Sequence, residues 1–522
     1  MSGDMGDRPE DSGGLGRARL RRSRGRPTRR QMLTRLAFIV GAVVTATGAT
    51  MVVPTIVALL FGEFRDAGMI AIAGATTVTI GLVTWRWLGT RGELTTREGF
   101  AAVGLSWVSM SIVGTLPYLL TGGIDSITNA FFETASGFTT TGSSILADPS
   151  SLGHGLLVWR SLTQWVGGMG IIVLSIAVLP LLGVGGVELA RAESPGPTPD
   201  RLTPRFRETA KRLWLVYAGL TAVEAILLSL GDMTVFQAVN HSLTTMSTGG
   251  FGTEATSLTS FSPYTQWVVI LFMFAAGGSF ALHFRALRDP RVYGRSGEFK
   301  LYAGIAAGAV FLIIAGLLDG GDVVFSDTGL EPLLRDGVFT ALTLITTTGF
   351  ATADFGQWVP GLQILVVGLF FVGGMAGSTA GGVKSFRIGV LSKSASSDLR
   401  RLVHPRGVFV TRFDGHAVPT DIVRNVQSFF LFYMFLFMTA TFALSVIESR
   451  VLGVVGLDLV TSTSAVASAL GNIGPGLGAV GPTENFAVIQ PLGKWLLSGL
   501  MIVGRLEIFP ILLLFTPDLW KR

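Results

Sequence analysis

Four short runs decide how this chain is read: Thr139-Thr140-Thr141-Gly142, Ser247-Thr248-Gly249-Gly250, Thr346-Thr347-Thr348-Gly349 and Gly471-Asn472-Ile473-Gly474. Phe251 and Phe350 directly follow their glycines. Each run ends a brief, fairly apolar segment. In the second, Phe236, Val239, Leu243 and Met246 recur at helical spacing, which predicts a short helix. Such a segment is too short to cross a bilayer, which takes about 20 apolar residues of helix, and reads as re-entrant. One Thr/Ser/Gly run would be an ordinary turn or a small-residue helix contact. Four of them, about a hundred residues apart, indicate a domain-sized internal repeat rather than a short solenoid period.

Outward from these runs lie the spanning segments. Charge-free apolar stretches occupy 36–62, 67–85, 99–124, 161–187, 265–282, 301–318, 355–383 and 425–447. Two more contain charge: 213–231 holds Glu224, and 491–516 holds Arg505 and Glu507. After the first two, the other eight form four pairs, each enclosing one run in its long connection. The expected fold is an all-α polytopic membrane protein of ten transmembrane helices. Four helix, pore-loop, helix repeats surround a pseudo-fourfold pore, preceded by an extra N-terminal helix pair. The expected units are a basic disordered segment 1–34, the helix pair 35–97, and pore repeats 98–190, 208–290, 299–395 and 421–518.

Composition agrees. Of 522 residues 49% are hydrophobic and 14% charged, against about 25% charged in soluble domains. Cys is 0, which excludes a disulfide scaffold and thiolate metal sites. Most of the 40 Lys and Arg fall in the N-terminal segment and in alternate connections, notably 191–212, 285–300 and 384–424. The opposite connections are acidic, as with Asp319, Asp322, Asp327, Glu331 and Asp336. This asymmetry places both termini in the cytoplasm, in keeping with an even span count. The basic N-terminus is then a topology determinant, and no nucleic-acid partner is expected. No HExxH, Walker or GxSxG pattern is present and no His has ligand spacing, so neither an enzyme nor a cofactor is expected. His241 and His283 read as packing residues.

The chemistry follows from the backbone. Extended chain at membrane depth is tolerated only where it lines water or is buried in protein. Four such loops about one axis present carbonyl oxygens that can replace the hydration shell of an alkali cation. Glycine at one place in each loop permits positive φ, and the inward-running short helices point their partially negative C-terminal ends at the axis. The expected selectivity filter is Thr140, Thr141, Gly142, Thr248, Gly249, Gly250, Thr347, Thr348, Gly349, Asn472, Ile473 and Gly474. The expected ligands of the transported ion are the carbonyls of Thr141, Gly142, Gly250, Thr348, Gly349, Ile473 and Gly474. Gly249 before Gly250, and Asn472-Ile473 in place of threonines, make the quadrants unequal.

A second candidate element is the run 373–382, which interrupts the span 355–383. Each glycine costs a helix about 1 kcal/mol relative to alanine, so this segment, with Gly373, Gly374, Gly377, Ser378, Thr379, Gly381 and Gly382, is expected to unwind into a loop beneath the four runs, and the family resemblance given below implies that it acts as a gate. Arg505, mid-span, is costly enough to imply function. Two residues from Glu507, it cannot pair with it well, and it is expected to hydrogen-bond carbonyls of the gate loop. Lys384 follows the loop and either assists or snorkels to the interface. Glu224 is either a helix-packing contact or a proton-coupling site.

From about residue 35 to 520 the chain resembles the Trk/Ktr/HKT superfamily of cation transporters, and within it the TrkH-like branch. The resemblance rests on 135–142, on Thr347-Thr348-Gly349-Phe350, on 472–478, on 373–382 and on Gly504-Arg505-Leu506-Glu507-Ile508-Phe509-Pro510. It implies potassium as the substrate, since Gly142 stands where a serine often accompanies sodium transport. It also implies an intramembrane gating loop, a homodimer in the cytoplasmic membrane, and a TrkA-like cytosolic nucleotide-binding RCK subunit as regulator. The competing reading is a sodium- or proton-coupled symporter working by alternating access, which would favour inverted repeats and broken helices. Here the repeats are parallel and one helix, 355–383, looks broken.

Overall fold

The computed structural model describes residues 28–90, 95–177, 202–319, 329–449 and 456–517. Residues 1–27 of the expected disordered segment, the end of the span 161–187, residues 191–201 of the basic connection 191–212, and Asp322 and Asp327 lie outside the described residues. Residues 29–34, expected to be disordered, instead open α1 (Arg29–Thr50), because Thr28 and Gln31 cap one another's backbone in a capping box.

The chain continues through α2 (Val52–Leu60) and α3 (Phe64–Val83), which runs on as a π-helix over Thr84–Leu88. α1 and α3 approach closely: a Cβ on Gly81 would meet the Thr45 main chain, and one on Gly41 that of Trp85. Small residues allow this backbone proximity, which is how helices associate in lipid. Four groups of helices follow. The first is α4 (Thr96–Val113), α5 (Leu116–Thr121), α6 (Ile127–Phe138) and α7 (His154–Ala177). The second is α8 (Leu202–Ser229), α9 (Val235–Met246), α10 (Pro263–Ala276) and α11 (Phe280–Ala286), with α12 (Val292–Arg295) after it. The third is α13 (Gly297–Asp319), α14 (Leu330–Ile345), α15 (Pro360–Leu369) and α16 (Ser385–Val403). A hairpin of β1 (Arg412–Phe413) and β2 (His416–Ala417) leads to the fourth: α17 (Thr420–Ser449), α18 (Leu459–Gly471), α19 (Pro491–Arg505) and α20 (Phe509–Phe515).

Local chemistry sets these boundaries. Ser126, Thr234 and Asp458 cap the short helices α6, α9 and α18 through their side chains. Pro263, Pro360 and Pro491 open α10, α15 and α19, where the missing N–H costs nothing. Burial separates two classes of helix. From Ala130 to Phe138, every residue of α6 is buried, and α18 is buried almost throughout from Thr461 to Gly471. The long helices instead expose large apolar side chains, such as Leu60, Phe311, Leu431, Phe435 and Phe442. An apolar outer face around a polar-lined centre suits lipid rather than water.

Among the described residues, six helices are long and apolar enough to cross a membrane, and seven if α10 and α11, bent by 102° at their junction, are taken as one span. The expectation of a single broken helix is corrected. α10 and α11 part at Gly277, Gly278 and Ser279. α15 stops at Leu369, well before the expected 383, and α19 gives way to α20 through Glu507 and Ile508 at positive φ. The break between α10 and α11 frees the Gly277 carbonyl to accept from Met375 N, and the C-terminal end of α18 likewise offers the Gly471 carbonyl to Gly382 N.

The N-terminal pair is clamped to the first block at Glu63, between α2 and α3. Glu63 accepts from His154 N at 2.8 Å, His154 Nδ1 at 2.8 Å and Gly155 N at 3.1 Å, satisfying the first N–H groups of α7, while Phe61 stacks on His154 at 3.8 Å. Burial raises the Glu63 carboxyl pKa, but the bonds from His154 and Gly155 outweigh it and hold the group below its ordinary value. This clamp is complete above the ordinary carboxylate pKa and weakens as pH falls through the depressed one. Glu63→Ala should lower stability by about 1–2 kcal/mol at neutral pH, read as a fall in midpoint on thermal unfolding in detergent, and the deficit should shrink in strong acid.

Candidate functional site

The four short helices end in the same way. After α6, Thr140 is left-handed at φ +51°, and Thr141 N donates to Ser136 O at 2.9 Å. After α9, Thr248 is at +54° and Gly249 N reaches Thr244 O at 2.8 Å. After α14, Thr347 is at +55° and Thr348 N reaches Thr343 O at 2.9 Å. After α18, Asn472 is at +53° and Ile473 N reaches Ser468 O at 3.0 Å. This is the Schellman closure, whose left-handed residue is usually glycine or asparagine. A β-branched threonine there is strained, a condition that persists only where its surroundings enforce it. Two residues on, Gly142 (+85°), Gly250 (+75°), Gly349 (+85°) and Gly474 (+116°) are left-handed too, as their place in the sequence led one to expect.

The loops touch in a cycle. A Cβ on Gly142 would strike the carbonyl oxygen of Gly249, one on Gly250 that of Thr348, one on Gly349 that of Ile473, and one on Gly474 would abut that of Thr141. Each loop therefore meets the next in chain order and the fourth closes on the first, bringing the twelve expected filter residues into one ring. Side chains brace it from behind: Thr139 Oγ1 and Thr141 Oγ1 pair at 2.7 Å, Thr346 Oγ1 and Thr348 Oγ1 at 2.8 Å, and Asn472 Nδ2 donates to Thr141 Oγ1 at 2.9 Å.

The ring's carbonyls are unequal. Among the described residues no donor reaches the oxygens of Thr141, Gly142, Gly250, Thr348, Gly349 or Ile473. Gly474, also expected as a ligand, departs from the others: its carbonyl accepts from Ser143 Oγ at 2.8 Å and Ser468 Oγ at 2.8 Å, which occupies both lone pairs. Gly249, left out of the expected ligands, occupies the place of Thr141, Thr348 and Ile473, but its oxygen accepts from Gln164 Nε2 at 2.7 Å. Gln164 also receives Phe251 N at 3.1 Å, so one α7 side chain straddles Gly250. The sequence marks Gln164 and Ser468 only as polar residues within apolar segments. Gly142, Gly250, Gly349 and Gly474 line a cavity on one side of the ring, together with Ser144, Ser257, Glu254 and Glu484.

On the other side lies the glycine-rich run. As expected, 370–384 is not helical. Val372 and Val383 pair as a single parallel bridge, with Gly373 N donating to Val383 O at 2.9 Å. The run is held against the undersides of three loops: Thr379 Oγ1 donates to Met246 O at 3.0 Å, Gly381 N to Thr347 Oγ1 at 2.6 Å and Gly382 N to Gly471 O at 2.8 Å. A Cβ on Gly373 would strike the Gly381 carbonyl and one on Gly374 that of Gly277, whereas Gly377, at +78°, faces open space apart from Ser279. Ser378 Oγ closes the turn onto Met375 O at 2.6 Å.

Arg505, 2% exposed, donates from Nη1 to Thr379 O at 2.7 Å, the contact its sequence position suggested. Its Nε and Nη2 have no partner among the described residues. Glu507 does not pair with it; it binds Arg387, whose guanidinium lies 3.9 Å from the Phe429 ring centre. Lys384 does not snorkel. It is 6% exposed and its Nζ donates to Ala380 O. Glu298, which sequence reasoning missed, receives Ala376 N at 2.7 Å and Ser385 Oγ at 3.1 Å and anchors the run's far end. Glu224 is fully buried in α8 and His241 in α9. No group of acidic or imidazole side chains able to hold a metal ion occurs among the described residues.

Long apolar helices around buried short helices and their loops define a polytopic helical membrane protein. The sequence profile of TrkH, described as "Cation transport protein", matches residues 68–296 and 305–522. The Trk system potassium uptake protein TrkH of Salmonella typhimurium is 39% identical over 93% of this chain and 98% of its own length. That of Escherichia coli strain K12 is 38% identical with the same coverage. The crystal structure of the potassium transporter TrkH from Vibrio parahaemolyticus superposes with a TM-score of 0.84 at 34% identity, over 95% of this chain and all of that one. The chain belongs to the TrkH family of cation transport proteins. That is a family of transporters rather than enzymes.

Gly349→Ala would press a Cβ on the Ile473 carbonyl at a left-handed φ. We expect cation uptake to fall at least about tenfold while helix content is kept, since strain of a few kcal/mol confined to one loop suffices for such a loss. Wild-type uptake by this variant would contradict the ring's role.

Proposed function

We propose that this chain takes up potassium across the cytoplasmic membrane through a channel-like pore whose filter is the ring of four loops. One observation carries the reading: six buried or half-buried carbonyl oxygens in a closed ring have no donor among the described residues. More than nine in ten buried backbone groups are satisfied elsewhere in proteins. A dehydrated alkali cation would satisfy these six, with the C-terminal ends of α6, α9, α14 and α18 adding negative potential. Gly474 and Gly249 contribute by fixing the loops rather than as ligands. Potassium, rather than sodium, is supported by the names of the relatives and by glycine at position 142.

The run 373–382 is the gate. It lies against the underside of the ring, tied by bonds that a modest displacement would break, and Arg505 both holds Thr379 and places a buried positive charge beside the path. The four repeats, ten spans and cytoplasmic termini complete the picture, with the basic connections 285–300 and 384–424 facing the cytosol. The relatives' Trk system naming supports a TrkA-like RCK regulator, and the homodimer rests on the family resemblance. A proton-coupled symport is the second reading, favoured by Glu224, whose carboxyl is buried completely beside the second loop's helix. Its pH-gradient dependence would vanish in Glu224→Gln.

The test is rubidium tracer uptake by purified protein in potassium-loaded liposomes, with sodium-loaded liposomes as control. Uptake without any sodium or proton gradient is expected, and a strict requirement for either would overturn the channel-like reading. Arg505→Ala should raise basal flux several-fold by releasing the loop, since a charge-assisted hydrogen bond contributes about 1.5–3 kcal/mol. Unchanged flux and gating would remove Arg505 from the gate.

A further inference from the structure

One buried charge pair stands beside the ring and is not used by the account above. Arg160 of α7 and Glu133 of α6 are 2% and 0% exposed. The guanidinium contacts Glu133 Oε1 through Nε at 2.9 Å and Nη2 at 2.9 Å. Glu133 also receives Ser144 Oγ at 3.0 and 3.1 Å and Ile145 N at 3.0 Å, from the segment that leaves the first glycine. Arg160 reaches the second loop as well: Nη1 donates to Gly252 O at 3.1 Å, and the guanidinium sits 4.1 Å from the Phe251 ring centre. The pair therefore joins the segments immediately following Gly142 and Gly250. Gln164, one helical turn from Arg160 on the same face, grips Gly249 and Phe251 at that junction.

The chain contains its own control. Counted back from each filter glycine, the places of Glu133 are His241, Thr340 and Ala465. Counted from the first residue of each following helix, the places of Arg160 are Val269, Val366 and Leu497, all fully buried. Three loops are thus held with neutral or apolar residues in both places. Replacing a buried ion pair by well-packed apolar groups is often neutral for stability, so packing alone does not require this one. What distinguishes it is directional linkage of two loops: Nε and Nη2 of one guanidinium both meet Oε1 of a carboxylate that also accepts from Ser144 and Ile145, in the segment after Gly142. The linkage falls on the quadrant with a double glycine, Gly249-Gly250, where the backbone is least constrained by its own residues.

We propose that Arg160 and Glu133 are positioning residues that set the spacing of the first and second filter loops and thereby the discrimination between potassium and smaller alkali cations. This rests on the four-loop ring being the conducting filter. The pair acts through the backbone: it fixes Ser144 and Gly252, these fix Gly142 and Gly250, and the carbonyls of those glycines meet the ion. Being mutually neutralised, it also keeps a bare positive charge out of the cavity that Arg160 lines.

The test is the potassium-to-sodium permeability ratio, from reversal potentials of the full-length protein in liposomes. The double variant Glu133→Thr with Arg160→Val copies the third repeat's own residues. We expect it to elute and melt like the wild type, to carry current, and to lose about tenfold in the ratio, the scale of one hydrogen bond's differential effect. A folded double variant with the wild-type ratio would overturn the proposal. Should the double variant fail to fold, Arg160→Lys decides: it keeps the charge but not the fork, so the ratio should drop with flux retained, and an unchanged ratio would equally overturn it. The wild type separates this outcome from failure of the filter reading. No discrimination in the wild type defeats that reading, whereas discrimination kept in every folded variant defeats only the role of the pair.

Discussion

Four glycines leave no room for a side chain because each meets a carbonyl of the neighbouring loop. That contact makes the loops a ring, and most of the architecture follows from maintaining it. Irregular backbone at membrane depth must be enclosed by protein or line water, in keeping with the burial of the C-terminal halves of the four short helices that deliver the loops. The long helices surround them with their apolar sides outward. Strain concentrates at the same place. Thr140, Thr248 and Thr347 adopt left-handed backbone, and threonine pairs behind the first and third loops help to hold them there.

The ring is repeated in plan and unequal in detail. Ser143 and Ser468 occupy the Gly474 carbonyl and Gln164 occupies that of Gly249, so two quadrants present fewer free oxygens than the other two. Helices α10, α15 and α19 all break close to the ring, and the groups freed at these breaks bind the 373–382 run or stand beside it. The glycine-rich run and the ring therefore share hydrogen bonds, as where Gly381 N donates to the side chain of the left-handed Thr347. Displacement of the run would leave that threonine hydroxyl and the Gly471 carbonyl without these donors, which couples the two elements mechanically.

Much of this was legible in the sequence because the deciding signals are local. The Thr/Ser/Gly runs, the short apolar segments before them and the cluster of glycines at 373–382 each express a backbone requirement that few residue types satisfy. Arg505 was legible because charge is conspicuous in an apolar span, and its partner followed from excluding Glu507. The breaks in α10–α11 and α19–α20 were not legible, since two adjacent glycines or an unmarked Leu506-Glu507-Ile508 also fit a continuous helix. Nor was the division of carbonyls into free and occupied, which depends on residues distant in sequence: Gly474 is capped by Ser143, and Gly249 by Gln164. The Arg160–Glu133 pair hid at the edge of an apolar stretch and inside a short helix, where each residue alone reads as unremarkable.

The central claim is that the unpaired carbonyls of Thr141, Gly142, Gly250, Thr348, Gly349 and Ile473 hold a dehydrated monovalent cation. The most direct measurement is anomalous diffraction from crystals grown in rubidium or thallium. The account predicts an anomalous peak on the ring axis, within coordinating distance of these oxygens and replaceable by potassium. A ring without a peak, with the heavy cation bound only elsewhere in the molecule, would contradict it.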